Sequence, residues 1–144
     1  MNRIYNNEVI IMACIVCLLK QRKMSVALSY LLSTILIDGQ LGKIVQKSVD
    51  FDMMSRLMKD QGFGLLSRKL NSFGPYFINA VVILKQSKVI SFTDGMLILM
   101  DKTFPEGSFG SKRLGRILKN ADILLDICKG LSTKEIYNKL NIQL

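Results

Sequence analysis

The chain has 144 residues, with 20 Lys plus Arg against 11 Asp plus Glu, a net charge of +9 and no histidine. Apolar residues make up 49% and prolines number only 2, which excludes a disordered tail and predicts one small, basic, mainly α domain spanning 1–144. Without histidine there is no imidazole base, no Ser-His or Cys-His nucleophile pair and no imidazole metal ligand.

Residues 7–22 predict the first helix. Asn6 or Asn7 caps it, and Lys20, Arg22 and Lys23 complement its C-terminal dipole. The run Val9–Leu19 is apolar nearly all round. Such a helix is buried on most sides, either in the centre of the domain or partly against a partner. Glu8 ahead of the run and Lys20-Gln-Arg-Lys23 behind it do not fit a signal peptide. The longest charge-free stretches, 9–19, 24–37 and 70–84, fall short of the about 20 residues of a membrane span. A cytoplasmic protein without membrane contact is expected.

Cys14 and Cys17 form a C-x-x-C inside this run, and Cys128 is the third thiol. An odd count does not read as a disulfide framework. With no second pair and no histidine, a four-ligand zinc site cannot be assembled, and an apolar run does not lower a thiol pKa. Buried core cysteines in a reducing compartment are the expectation.

Ser25 opens a second helix to about Ile37, where Asp38-Gly39 should end it with Gly39 as a left-handed cap. Residues 40–49 read either as an amphipathic turn on Leu41, Ile44, Val45 and Val49 or as a loop flanked by Gly39 and Gly42. Asp50 or Asp52 caps a third helix to about Lys59, with Phe51, Met54, Leu57 and Met58 as its apolar face. Gln61-Gly-Phe-Gly64 should break it. A short helical segment at 65–71 and a separate helix from Gly74-Pro75 to about Gln86 follow, the latter burying Phe77, Ala80, Val81 and Leu84. The pattern then turns β-rich. Residues 88–92 and 95–100 flank Asp94-Gly95, a tight-hairpin signal. A helix followed by a two-stranded hairpin is the tail of a winged-helix arrangement, so a winged-helix-like domain with one hairpin at about 88–100 is predicted. After a loop at 101–110, Ser111 caps a helix to about Lys129, stopped by Gly130. Leu114, Ile117, Leu118, Ile123, Leu124 and Ile127 form its apolar face. Ser132-Thr-Lys-Glu135 is a capping box for a last helix to about Leu140.

Few residues carry chemistry. Gly62-Phe-Gly64 and Gly107-Ser-Phe-Gly110 lack the spacing of phosphate loops and read as turns. Asp50 and Asp52 read as helix capping, and Asp122 and Asp126 as an i,i+4 pair on an exposed face. No catalytic, cofactor-binding or metal-binding residue is predicted. The basic residues of the 111–129 helix say more. Lys112, Arg113, Arg116 and Lys119 crowd its first turns, and Lys112, Arg116 and Lys119 share one face. Like charges repel there, and a helix N-terminus favours anions. DNA phosphate or an acidic partner would offset that cost; a solvated face is the alternative. The remaining charge is spread, +5 over 1–72 and +4 over 73–144. The segment 131–142 has the cadence of the first helix of a helix-turn-helix, but no recognition helix follows it in this sequence.

The order of these patterns resembles a known family. An Asn6-Asn7-Glu8 apolar first helix precedes the nearly charge-free Met24–Ile37 helix. Next come Ser48 with Met54, Leu57 and Met58, then Phe73-Gly-Pro75 leading to Ala80, Leu84, Lys85 and Lys88. Ile90-Ser-Phe-Thr-Asp-Gly95 and Lys112-Arg-Leu-Gly-Arg-Ile-Leu118 complete the series. Together they are similar to the middle component of bacterial three-component ABC systems, the small subunit of Lamassu-type anti-phage and anti-plasmid defence complexes. The resemblance implies a non-enzymatic bridging subunit between an SMC- or Rad50-like coiled-coil ATPase that senses DNA and an effector, often a nuclease. On that likeness Lys112, Arg113 and Arg116 are the positions expected to meet DNA or an acidic partner surface. The competing expectations are a free-standing winged-helix DNA-binding regulator and a small enzyme using Asp, Lys and Tyr.

Overall fold

The computed structural model describes residues 2–61, 63–102 and 111–142, with backbone alone for 2–7 and 63. Among the described residues seven helices and three short strands run in the order α1 (Asn2–Gln21), β1 (Met24–Ser25), α2 (Val26–Ile37), α3 (Gly39–Lys47), α4 (Phe51–Asp60), α5 (Phe63–Gln86), β2 (Ile90–Thr93), β3 (Met96–Leu99), α6 (Lys112–Ile127) and α7 (Thr133–Lys139). The expected loop at 101–110 lies mostly outside the described residues.

The apolar first helix is the hub. α1 packs against α2, α5, α6 and β3, and Ile10, Ile11, Cys14, Ile15, Val16, Leu18 and Leu19 are buried on several sides of it. Of the two environments its composition allows, the domain centre is the one found. It starts at Asn2, so Asn6 and Asn7 lie within the helix and do not cap it.

α2 is sealed into the same core, yet it carries Ser29 and Thr34. Their hydroxyls donate back to the carbonyls of Ser25 (3.0 Å) and Tyr30 (2.7 Å), so these side chains are buried without losing hydrogen bonds. Ser25 caps the helix by accepting from the Leu28 amide (3.1 Å). The expected left-handed Gly39 is absent. Asp38 instead takes an extended conformation, donates its amide to the Thr34 carbonyl (3.1 Å) and accepts the Leu41 amide on its carboxylate (3.0 Å). One residue closes α2 and opens α3. Gly39 is thereby the first residue of a new helix, which needs no positive φ, and the ambiguous 40–49 stretch is mostly helix with Leu41, Ile44 and Val45 buried. Asp50 caps α4 through the Met53 amide (2.8 Å).

α5 is one helix of 24 residues where two were expected, with Pro75 in its interior. A proline there lacks the N–H and crowds the carbonyl four residues back, at a cost of about 3 kcal/mol. Aromatic packing holds the segment together across it. The Tyr30 ring lies 6.3 Å from Phe73 and 5.2 Å from Phe77, centroid to centroid, and its hydroxyl donates to the Leu70 carbonyl. Gly74 makes room for that hydroxyl: a Cβ at this position would stand 3.2 Å from Tyr30 Oη. The helix ends in a Schellman motif, with the Val89 amide on the Leu84 carbonyl (3.0 Å) and Lys88 left-handed at φ 63.

The hairpin forms as predicted, with Asp94 (φ 54) and Gly95 (φ 78) both left-handed as a tight two-residue turn requires. Its strands are a little shorter than expected and pair Ile90 with Leu99 and Thr93 with Met96. A third strand was not predicted: β1 pairs Met24 with Leu97 and Ser25 with Met96, giving the order β1-β3-β2. Two residues are too few to show alternation. The result is a small three-stranded antiparallel sheet on a mainly helical domain, with four helices, α2 to α5, between β1 and β2.

α6 is capped by Ser111 (Leu114 amide to Oγ, 3.1 Å) and ends at Ile127, two residues short of Lys129. The capping box of α7 is present, Glu135 amide to Ser132 Oγ at 3.1 Å and Ser132 amide to Glu135 Oε1 at 3.2 Å. The Ser132 amide, and then the Ser132 hydroxyl, hold the Glu135 carboxyl below its ordinary value. α7 is fastened to the start of α2: Tyr137 donates to the Ala27 carbonyl (2.6 Å), and Ser25 Oγ lies 3.1 Å from Thr133 Oγ1. One apolar cluster draws residues from all seven helices and the sheet.

Candidate interaction surfaces

The four predicted basic residues are all exposed, but they do not act as one group. Lys112, Arg116 and Lys119 line the outer face of α6 at i, i+4 and i+7, while Leu114, Ile117 and Ala121 hold the opposite face in the core. Arg113 points elsewhere. It lines a cleft of about 360 Å³ with Thr34, Asp38, Lys69, Phe73 and Tyr76. In that cleft Lys69 Nζ lies 3.0 Å from Asp38 Oδ1, and the other Asp38 oxygen holds the Leu41 amide. The acid is thus committed to structure.

Next to the cationic face, Asn120 is buried between α6 and α3. Its Nδ2 sits 3.5 Å from the Gly42 carbonyl, and its Oδ1 has no hydrogen-bond partner. Gly42 permits this approach, since a Cβ there would be 3.4 Å from Asn120 Nδ2.

The acid pairs have structural duties too. Asp50 caps α4, and Asp122 accepts from Gln21 Nε2 (2.6 Å), tying α6 to the end of α1. Cys14 and Cys128 are buried free thiols and Cys17 is half-buried. Burial pushes the Cys14 thiol up, helped by the neighbouring Cys17 and opposed by Ser33. Burial likewise pushes Cys128 up to about 12. Neither is a nucleophile at neutral pH. A second cleft of about 550 Å³ lies between α2, α5 and α7, lined by Tyr30, Leu70, Tyr137 and Ile142. Both its tyrosine hydroxyls are spent on backbone carbonyls. Among the described residues no group of three Cys, Asp or Glu could hold a metal ion, and no helix is long and apolar enough to cross a membrane.

The feature that residue patterns did not single out is apolar. On α5, Tyr76, Ile78 and Val82 are exposed (54%, 58% and 43%), with Val9 of α1 (40%) and, on the hairpin side, Phe92 and Met100. The signal was present in the sequence. Residues 75–86 carry Ile78 and Val82 beyond the buried set Phe77, Ala80 and Leu84, more apolar positions than one buried face can use. No family model, curated protein or solved structure matches this chain.

Proposed function

We propose that this protein is a non-catalytic bridging subunit of an SMC-like ATPase defence complex, anti-phage or anti-plasmid, joining the coiled-coil ATPase to an effector. One observation carries the reading. Two surfaces of unlike chemistry stand on two helices that share a core: the cations Lys112, Arg116 and Lys119 on α6, and the apolar Ile78 and Val82 on α5. A subunit that joins two partners needs two such surfaces, and exposed apolar side chains mark protein contacts. The family resemblance supplies the identity of the partners. The setting is the cytoplasm, where thiols such as Cys14, Cys17 and Cys128 stay reduced.

The test is a search of the neighbouring genes for a long coiled-coil ATPase, and co-expression of the chain with it. Co-purification with that ATPase is the expected result, and a monomer that binds no SMC-like ATPase overturns the proposal. The small β1-β3-β2 sheet and the basic α6 face favour a second reading, a free-standing winged-helix DNA-binding regulator. It expects salt-dependent, sequence-specific duplex binding by the isolated chain, abolished by reversing Arg113 and Arg116. The helix leading into the hairpin argues for the bridging role instead, because it turns Ile78 and Val82 outward.

A further inference from the structure

We propose that the outer stripe of α5, Pro75, Ile78 and Val82 with Val9 of α1 alongside, docks an amphipathic helix of a partner protein whose apolar stripe is flanked by carboxylates. The inference rests on the bridging reading and deepens it by assigning one of the two surfaces and the chemistry of what sits there.

The spacing i, i+3, i+7 puts Pro75, Ile78 and Val82 on one edge of the helix over about 10 Å, two turns. That is a seam for a crossing helix and too narrow for a sheet. Val9 is next to Glu8, whose Oε1 accepts from Asn79 Nδ2 (2.7 Å), so the exposed edge of α1 borders the same stripe.

The rim selects the partner. The 24 residues of α5 include Arg68, Lys69 and Lys85 and no carboxylate, and Lys88 follows directly. Arg68, Lys85 and Lys88 are exposed. Glu8 and Asp38, which meet this helix through Asn79 and Lys69, are engaged, Glu8 by Asn79 and Asp38 by Lys69 and the Leu41 amide. An apolar seam in a cationic rim complements a helix with an apolar seam in an anionic rim. A second copy of this chain is the wrong occupant, because it would bring Arg68, Lys85 and Lys88 against like charges on a protein already at +9. Nucleic acid is wrong as well, since an apolar stripe desolvates against phosphate with nothing gained.

The test uses the full chain and two synthetic helices of about 21 residues, each three heptads with leucine at a and d. One carries glutamate at e and g, the other lysine. Fluorescence anisotropy should show the glutamate peptide binding at least about tenfold more tightly than the lysine peptide. Ile78→Glu with Val82→Glu should lose about tenfold or more of that binding, while Lys112→Glu with Arg116→Glu should leave it unchanged; circular dichroism checks that each variant is folded. Equal binding of both peptides overturns the proposal. So does binding that survives the Ile78 and Val82 changes in a folded protein, or a homodimer that those changes break. The peptides involve no ATPase, so the two readings fail separately. Peptide binding without an ATPase complex removes the bridging role alone. An ATPase complex that tolerates Ile78→Glu with Val82→Glu removes the docking surface alone.

Discussion

α1 and α5 are the two long helices of the protein, 20 and 24 residues, and both are rich in aliphatic side chains. They use them in opposite ways. α1 has neighbours on several sides, α2, α5, α6 and the sheet, so Cys14, Ile15 and Leu18 are wholly buried. α5 lies at the edge of the bundle, so Phe77, Ala80 and Leu84 are buried while Ile78 and Val82 face solvent. Hydrophobicity predicts that a helix is wanted by something apolar; only its neighbours decide whether that something is the same chain. In α1 the apolar content is stability, and in α5 part of it faces solvent, where exposed apolar side chains mark contacts.

The sharpest way to break this comparison is truncation on each side. Leu18→Ala should cost about 2–5 kcal/mol in urea unfolding, and Ile78→Ala should stay within about 0.5 kcal/mol of wild type. Equal losses would make the α5 stripe part of the core. A smaller effect tests the junction between the inner and outer layers. Asp38→Ala removes the α3 cap and the partner of Lys69, and should lower stability by about 1–2 kcal/mol, read from the urea midpoint. Alkaline titration tests the closure of the inner layer. Burial, and then the nearby Tyr30, pushes the Tyr137 phenol up from 10.0 to about 12. The fold therefore favours its neutral form. The stability it supplies is whole below pH 10 and declines as pH rises toward 12, which thermal melts across that range should record. Tyr137→Phe should flatten that part of the decline. The smallest effect is a gain: Lys88→Gly relieves the left-handed residue ending α5 and should raise stability by about 0.5–1 kcal/mol in the same melts.

Features governed by short-range chemistry were readable from the residues. Ser25, Asp50, Ser111 and the Ser132/Glu135 box cap the helices they were expected to cap, and Asp94-Gly95 turns the hairpin. Failures arose where a distant residue decided the local outcome. Pro75 reads as a helix start until Tyr30, 45 positions earlier, is seen packing across the break. Gly39 reads as a helix end until Asp38 is found serving the helices on both sides. β1 exists only because β3 lies beside it. The candidate surfaces divide in the same way. The exposure of Lys112, Arg116 and Lys119 follows from helical spacing, whereas the turning of Arg113 toward Asp38 and Tyr76 depends on where α3 and α5 lie. Which apolar face of α5 would be left over was not legible for the same reason. Periodicity shows that two faces are apolar, and only packing shows which one is left over.

The seal that α7 places on α2 has a consequence in time. Thr133 and Tyr137 close over Ser25 and Ala27, partners 108 and 110 positions earlier in the chain. At about 5–20 residues per second, a ribosome adds that span over roughly 5–20 s. Through that interval a nascent chain has the material for its central helix, and toward its end for the hairpin, but no lid over the first turn of α2. A message cut short before Tyr137 would leave every copy in that open state, with the sites of Ile136 and Leu140 unfilled and apolar surface showing to chaperones and proteases. Synthesis of α7 is therefore what supplies the fastening over the first turn of α2.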